Sequence, residues 1–155
     1  MSQLREWGTG LVVIRWLLVT AYIAFIFLFS KSPASSAGSM AAWLQNWFPF
    51  LQHYEIGSVV MYLRKLIHVG GYFLAAVLIY AAASISPKLK RFPYQTAFIL
   101  AAVLAGLDEW YQTRLAHRTG SLNDIIIDMV GIVLGIVSIK VFRDFQSRQK
   151  KASSN

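Results

Sequence analysis

From Leu11 to Phe29 the chain reads LVVIRWLLVTAYIAFIFLF, an apolar run broken by a single charge, Arg15. A helix rises 1.5 Å per residue, so about 20 residues cross the roughly 30 Å hydrocarbon layer of a bilayer, and this run is long enough. A secretory signal peptide is the rival reading, because Arg5 precedes the run and small residues follow it around Ala34 to Ala37. Signal cores are about 7–15 residues, and the greater length here favours a retained anchor. Three more apolar blocks follow, at about 66–85, 94–112 and 125–142. The expected fold is therefore an all-α membrane protein, a bundle of four transmembrane helices.

Around these blocks the chain divides into a short amino-terminal segment (1–10), a membrane domain (11–144) and a basic soluble tail (145–155). Its 155 residues suffice for one domain. The segment from Lys31 to Leu63 reads as a long connection whose first part, with Ser32, Pro33, Ser35, Ser36, Gly38 and Ser39, is a loop. In its second part Trp43, Trp47 and Leu51 are spaced to share a helical face, with Pro49 limiting the helix. Two readings stand there: an amphipathic piece in the membrane interface of the first outer loop, or an ordered loop packed on the bundle.

Hydrophobic residues make up 56% and charged residues 14%, a modest shift, and it is the uninterrupted apolar blocks that set the net charge of +8 in a membrane context and speak against a soluble nucleic-acid binder. The basic residues read as lipid anchors and topology signals. Four spans place Arg5, Arg15, Lys88, Lys90, Arg91, Lys140, Arg143, Arg148, Lys150 and Lys151 on one side. Lys31, Arg64, Lys65, Arg114 and Arg118 fall on the other. Ten against five predicts a multi-pass protein of the cell membrane with both termini cytoplasmic. No cysteine is present, so disulfides, thiolate catalysis and cysteine-ligated metal are excluded.

In that topology the ionisable residues converge at the outer ends of helices two to four. Lys65, His68 and Tyr72 are spaced i, i+3 and i+7, which makes one stripe. Asp108, Glu109 and Gln112 end the third block, Asp124 and Asp128 begin the fourth, and Arg118 lies in the turn between them. A charge at the centre of a membrane helix costs about 2.5–3.5 kcal/mol on insertion scales, so Asp128 should face the bundle or a wet cleft. The bland explanation is an ion-pair network that fastens the helices. It accounts poorly for four carboxylates against Lys65, Arg118, Arg114 and Arg64. Gly131 and Gly135 form a GxxxG pair, expected to serve helix packing, and Gly70 and Gly71 are read the same way.

His68 with Asp108 or Glu109 is the candidate acid/base pair, since a histidine beside carboxylates in a low-dielectric cleft is a plausible base. Lys65 and Arg118 suit an anionic headgroup. Tyr72, Gln112, Asp124 and Asp128 complete the binding set, the two aspartates orienting the site or holding a divalent cation. As metal ligands, His68, Glu109, Asp124 and Asp128 suit Mg²⁺, Mn²⁺ or Ca²⁺ better than structural zinc, although no compact ligand motif is present. No nucleophile is clearly indicated, though Thr119 and Ser121 lie nearby in sequence.

The set Lys65-x-x-His68-x-x-x-Tyr72, Asp108-Glu109-x-x-Gln112, Arg118 and Asp124-x-x-x-Asp128-x-x-Gly131 resembles the pattern of VanZ-like membrane proteins, over about Arg64 to Gly135. The chain departs from that pattern at Asp128, where the family commonly has asparagine. The resemblance implies an envelope role, one member being associated with reduced susceptibility to teicoplanin. Joined to the residue reading, it leads to an outward polar pocket that binds or acts on an envelope lipid or lipid-linked cell-wall intermediate. Two alternatives remain: a non-catalytic subunit docking to a larger envelope enzyme or transporter, and ion or proton translocation. Against the second, helix two below Tyr72 and helix four below Asp128 carry almost no polar residues.

Overall fold

The computed structural model describes residues 2–115 and 122–153, and every regular element among them is helical. The order is α1 (Ser2–Lys31), α2 (Ala37–Trp47), α3 (Gly57–Ala83), α4 (Pro93–Gln112) and α5 (Leu122–Ala152), with 3₁₀ turns at Pro33–Ser35 and Pro49–His53. Three stretches, Thr9–Lys31, Gly57–Ala83 and Asn123–Ala152, are long and apolar enough to cross a membrane. Four were expected. The remaining block falls on α4, whose 20 residues open on Pro93, Tyr94, Gln95 and Thr96 and carry Asp108, Glu109 and Gln112 near the end. Polar residues at both ends leave it a shorter apolar middle.

The connection after α1 is more helical than its composition suggests. Ser36 caps α2 by accepting from the Ser39 amide at 3.2 Å, so Gly38 and Ser39 lie inside the first turn rather than in a loop. The helix ends before Pro49. Trp43 and Trp47 sit together, ring centroids 6.2 Å apart, and both are exposed, whereas Leu51 falls in the following turn and is half-buried. The helix α3 begins at Gly57, well before the expected start near 66, which puts His68 in its interior rather than at its first turn.

Of these helices α3 is central, packing against α1, α2, α4 and α5. Its contact with α5 depends on two glycines. A Cβ on Gly131 would lie 2.3 Å from the Val69 carbonyl oxygen, and one on Gly135 would lie 2.8 Å from that of Phe73. Backbones this close leave no room for a side chain, which is the use of small residues between membrane helices. On α4, Ala97, Ala101 and Ala105 form a wholly buried i, i+4, i+8 stripe for the same purpose. Gly71 faces Tyr22 of α1, whose hydroxyl donates to its carbonyl at 2.9 Å. Gly70, expected to admit a helix, points to open space.

Outward surfaces are apolar. Leu17 and Leu28 of α1 are 62% and 68% exposed, and Ile126, Val137 and Val141 of α5 show the same pattern. A soluble protein rarely exposes so much contiguous hydrocarbon, and a bilayer covers it naturally. At the end of the bundle away from the carboxylates, polar contacts tie the helices. Arg15 donates to the Ala81 carbonyl at 2.6 Å, one of the last carbonyls of α3 that lack a helical partner. The Trp16 indole donates to Ser86 Oγ at 2.9 Å, and Arg143 donates to the Tyr80 hydroxyl.

Candidate functional site

Three helices meet around Asp108, which is 2% exposed. Ser30 of α1 donates to its Oδ1 at 3.0 Å. Tyr72 of α3 and Gln112 of α4 donate to its Oδ2 at 3.2 and 2.9 Å. A carboxylate receiving three donors can stay out of water without a cation touching it. Gln112 is four residues on from Asp108, so one turn of α4 brings both to the same face.

Beside it, His68 Nδ1 lies 2.9 Å from Asp128 Oδ1 on α5. The sequence offers His68 with Asp108 or Glu109 as the acid/base pair, and the bond seen here runs to Asp128, on the helix whose glycines draw it against α3. The direction of the proton in that contact depends on the imidazole tautomer. Asp128 is fully buried, and its Oδ2 meets no hydrogen-bond partner among the described residues. Glu109 is buried as well. His68, Glu109 and Asp128 each offer one ligand atom within 4.8 Å of the other two. Asp124, a turn earlier on α5, is half-buried and outside that trio.

A half-open cleft of about 80 Å³ lies in front of His68, between α1 and α3. Its apolar wall is Tyr22, Phe25, Ile26 and Phe29 of α1, with Met40 and Ile67. Its polar wall is Ser30, Ser35, Arg64, His68, Tyr72 and Asp108. Arg64 is half-buried and its Nε finds no partner among the described residues. Lys65, its neighbour, is exposed and outside the lining, because successive helical residues point about 100° apart. Arg118, with His117, Thr119 and Ser121, lies outside the described residues.

The residue reading thus did not single out Tyr22, Ser30, Ser35 or Arg64 as parts of the site. A signal for Arg64 existed: Arg64, His68 and Tyr72 are spaced i, i+4 and i+8, as good a stripe as the one drawn from Lys65. Ser30 gave none beyond being polar after an apolar run. Chemically, the cleft offers a cation, an imidazole, hydroxyls and the Asp108 carboxylate beside an aromatic and aliphatic wall. Its volume holds a group the size of several waters. The family model described as VanZ/LLP1 matches residues 15–143. Neither a curated protein nor a solved structure gives a match.

Proposed function

This chain belongs to the VanZ/LLP1 family, and we propose that it is a four-span membrane protein, both termini cytoplasmic, whose outward cleft takes the anionic headgroup of an envelope lipid or lipid-linked cell-wall intermediate. One observation carries the reading: Arg64 and His68 stand opposite Phe25 and Phe29 in a single cleft. A guanidinium whose buried Nε has no partner among the described residues suits a phosphate oxygen. The headgroup enters the cleft, and the chains lie along the exposed face of α1, where Phe25 is 58% exposed. Lys65, exposed next to Arg64 on α3, adds positive charge, and the sequence offers Arg118 for the same role. His68, held by Asp128, is the group placed to exchange a proton with the bound headgroup.

The test is lipid binding to the purified chain in micelles, read by native mass spectrometry with phosphatidylglycerol and with phosphatidylcholine. Wild type should prefer the anionic lipid saturably, and Arg64→Gln should lose that preference by about tenfold, the cost of a charge-assisted contact. Equal binding of both lipids by wild type, or an unaltered preference in R64Q, rules the reading out. Lowered teicoplanin susceptibility is part of the same proposal. A deletion strain should regain tolerance with wild type and not with membrane-inserted R64Q or H68A.

A further inference from the structure

We propose that His68, Glu109 and Asp128 form a binding site for a hard divalent cation of the Mg²⁺ or Mn²⁺ class. This goes beyond headgroup binding, and neither inference depends on the other. The three residues come from three helices, α3, α4 and α5, and bring one ligand atom each to within 4.8 Å of the other two. His68 Nδ1 and Asp128 Oδ1 lie 2.9 Å apart. Neighbouring ligands on an octahedral ion, each about 2.1 Å from it, are about 3 Å apart, so the spacing of this pair matches two neighbours on one ion.

A second observation points to a ligand independently. Asp128 is 0% exposed, yet its Oδ2 has no hydrogen-bond partner among the described residues. A buried carboxylate oxygen left without a donor is costly, and a bound cation removes that cost. Two carboxylates and one imidazole, in a chain without cysteine, form a donor set for oxygen-loving ions rather than for structural zinc. Three protein ligands leave positions open to water or to a phosphate oxygen, as Mg²⁺ sites commonly do. Entry is through the cleft: His68 lines it and its side chain is 12% exposed, while the carboxylates lie behind.

The experiment titrates Mn²⁺ into the full chain in lipid-free detergent micelles and follows the paramagnetic resonance signal of the free ion, which falls on binding. Wild type should take up about one ion per chain saturably, and Mg²⁺ should release it. Glu109→Gln, Asp128→Asn and His68→Ala should each bind at least about tenfold more weakly. Glu55→Gln, at an exposed position, should bind as wild type does. Helical circular dichroism and a single elution peak qualify each variant. The wild-type arm needs no variant to fold: Mn²⁺ must also raise its unfolding temperature. Absence of saturable uptake by wild type, or wild-type affinity in E109Q, overturns the site. Because no lipid is present, loss of Mn²⁺ binding and loss of phosphatidylglycerol preference are read separately.

Discussion

Three side chains from three helices donate to the two oxygens of Asp108, and that convergence makes one residue a joint for the bundle. Replacing it with alanine leaves the Ser30, Tyr72 and Gln112 donors facing apolar surroundings. An unsatisfied buried donor costs about 1–3 kcal/mol, and hydroxyl rotation recovers part of the loss. Asp108→Ala should therefore lower stability by about 1–3 kcal/mol, seen as a lower unfolding temperature in micelles. Asp124→Ala, at a half-buried position, should stay near wild type. Equal stability of D108A and wild type would remove Asp108 from this role. That Asp108, His68 and Asp128 belong together was legible, because charges in apolar helices have few places to go. Their pairing was not. Which carboxylate meets His68 depends on the rotation of each helix about its own axis, and an apolar face and a lipid-facing one read alike when both are hydrocarbon.

At the scale of helices, the same ambiguity explains what could be read and what could not. Glycine at 131 and 135 is legible because a missing side chain has one dominant use on an apolar helix. The closeness is severe at Gly131, where the opposing atoms are backbone and cannot rotate away. Gly131→Ala should force α3 and α5 apart, at about 1–3 kcal/mol from overpacking, and should also weaken Mn²⁺ uptake by separating His68 from Asp128. Gly70→Ala makes the matched comparison: its Cβ meets nothing within 4 Å, and alanine favours a helix over glycine by about 1 kcal/mol. Thermal unfolding of the two side by side should show opposite signs, and destabilisation of G70A as large as that of G131A would count against close packing as the cause. By contrast, the contribution of α1 to the cleft carried no signal. Tyr22, Phe25 and Phe29 sit in a run that is apolar on every side, so no periodicity marks the face turned inward. The early start of α3 was hidden for a related reason: Gly57, Ser58, Arg64 and Lys65 read as loop, yet helix packing against α2 keeps them regular.

For the molecule as a whole, the arrangement in the membrane turns on α4. The helix is antiparallel to α3, joined to it by the short connection at 84–92, and its alanine stripe is buried against the bundle. A helix with its inner face on protein needs less hydrocarbon of its own to stand in a bilayer, which is why its modest apolar middle is compatible with crossing. The helix α5, of 31 residues, is about 46 Å long and exceeds the roughly 30 Å hydrocarbon layer. Its last turns, with Arg148, Lys150 and Lys151, therefore project beyond the membrane, on the side expected to be cytoplasmic. Because the chain has no cysteine, single introduced thiols report position without background. With four spans, cysteines at Ser39 and Thr113 should react with an impermeant maleimide on intact spheroplasts. Those at Lys88 and Ser153 should react only after permeabilisation. If α4 does not cross, Lys88 and Thr113 must label together from one side, and the carboxylate cluster loses its outward opening along with the headgroup proposal built on it.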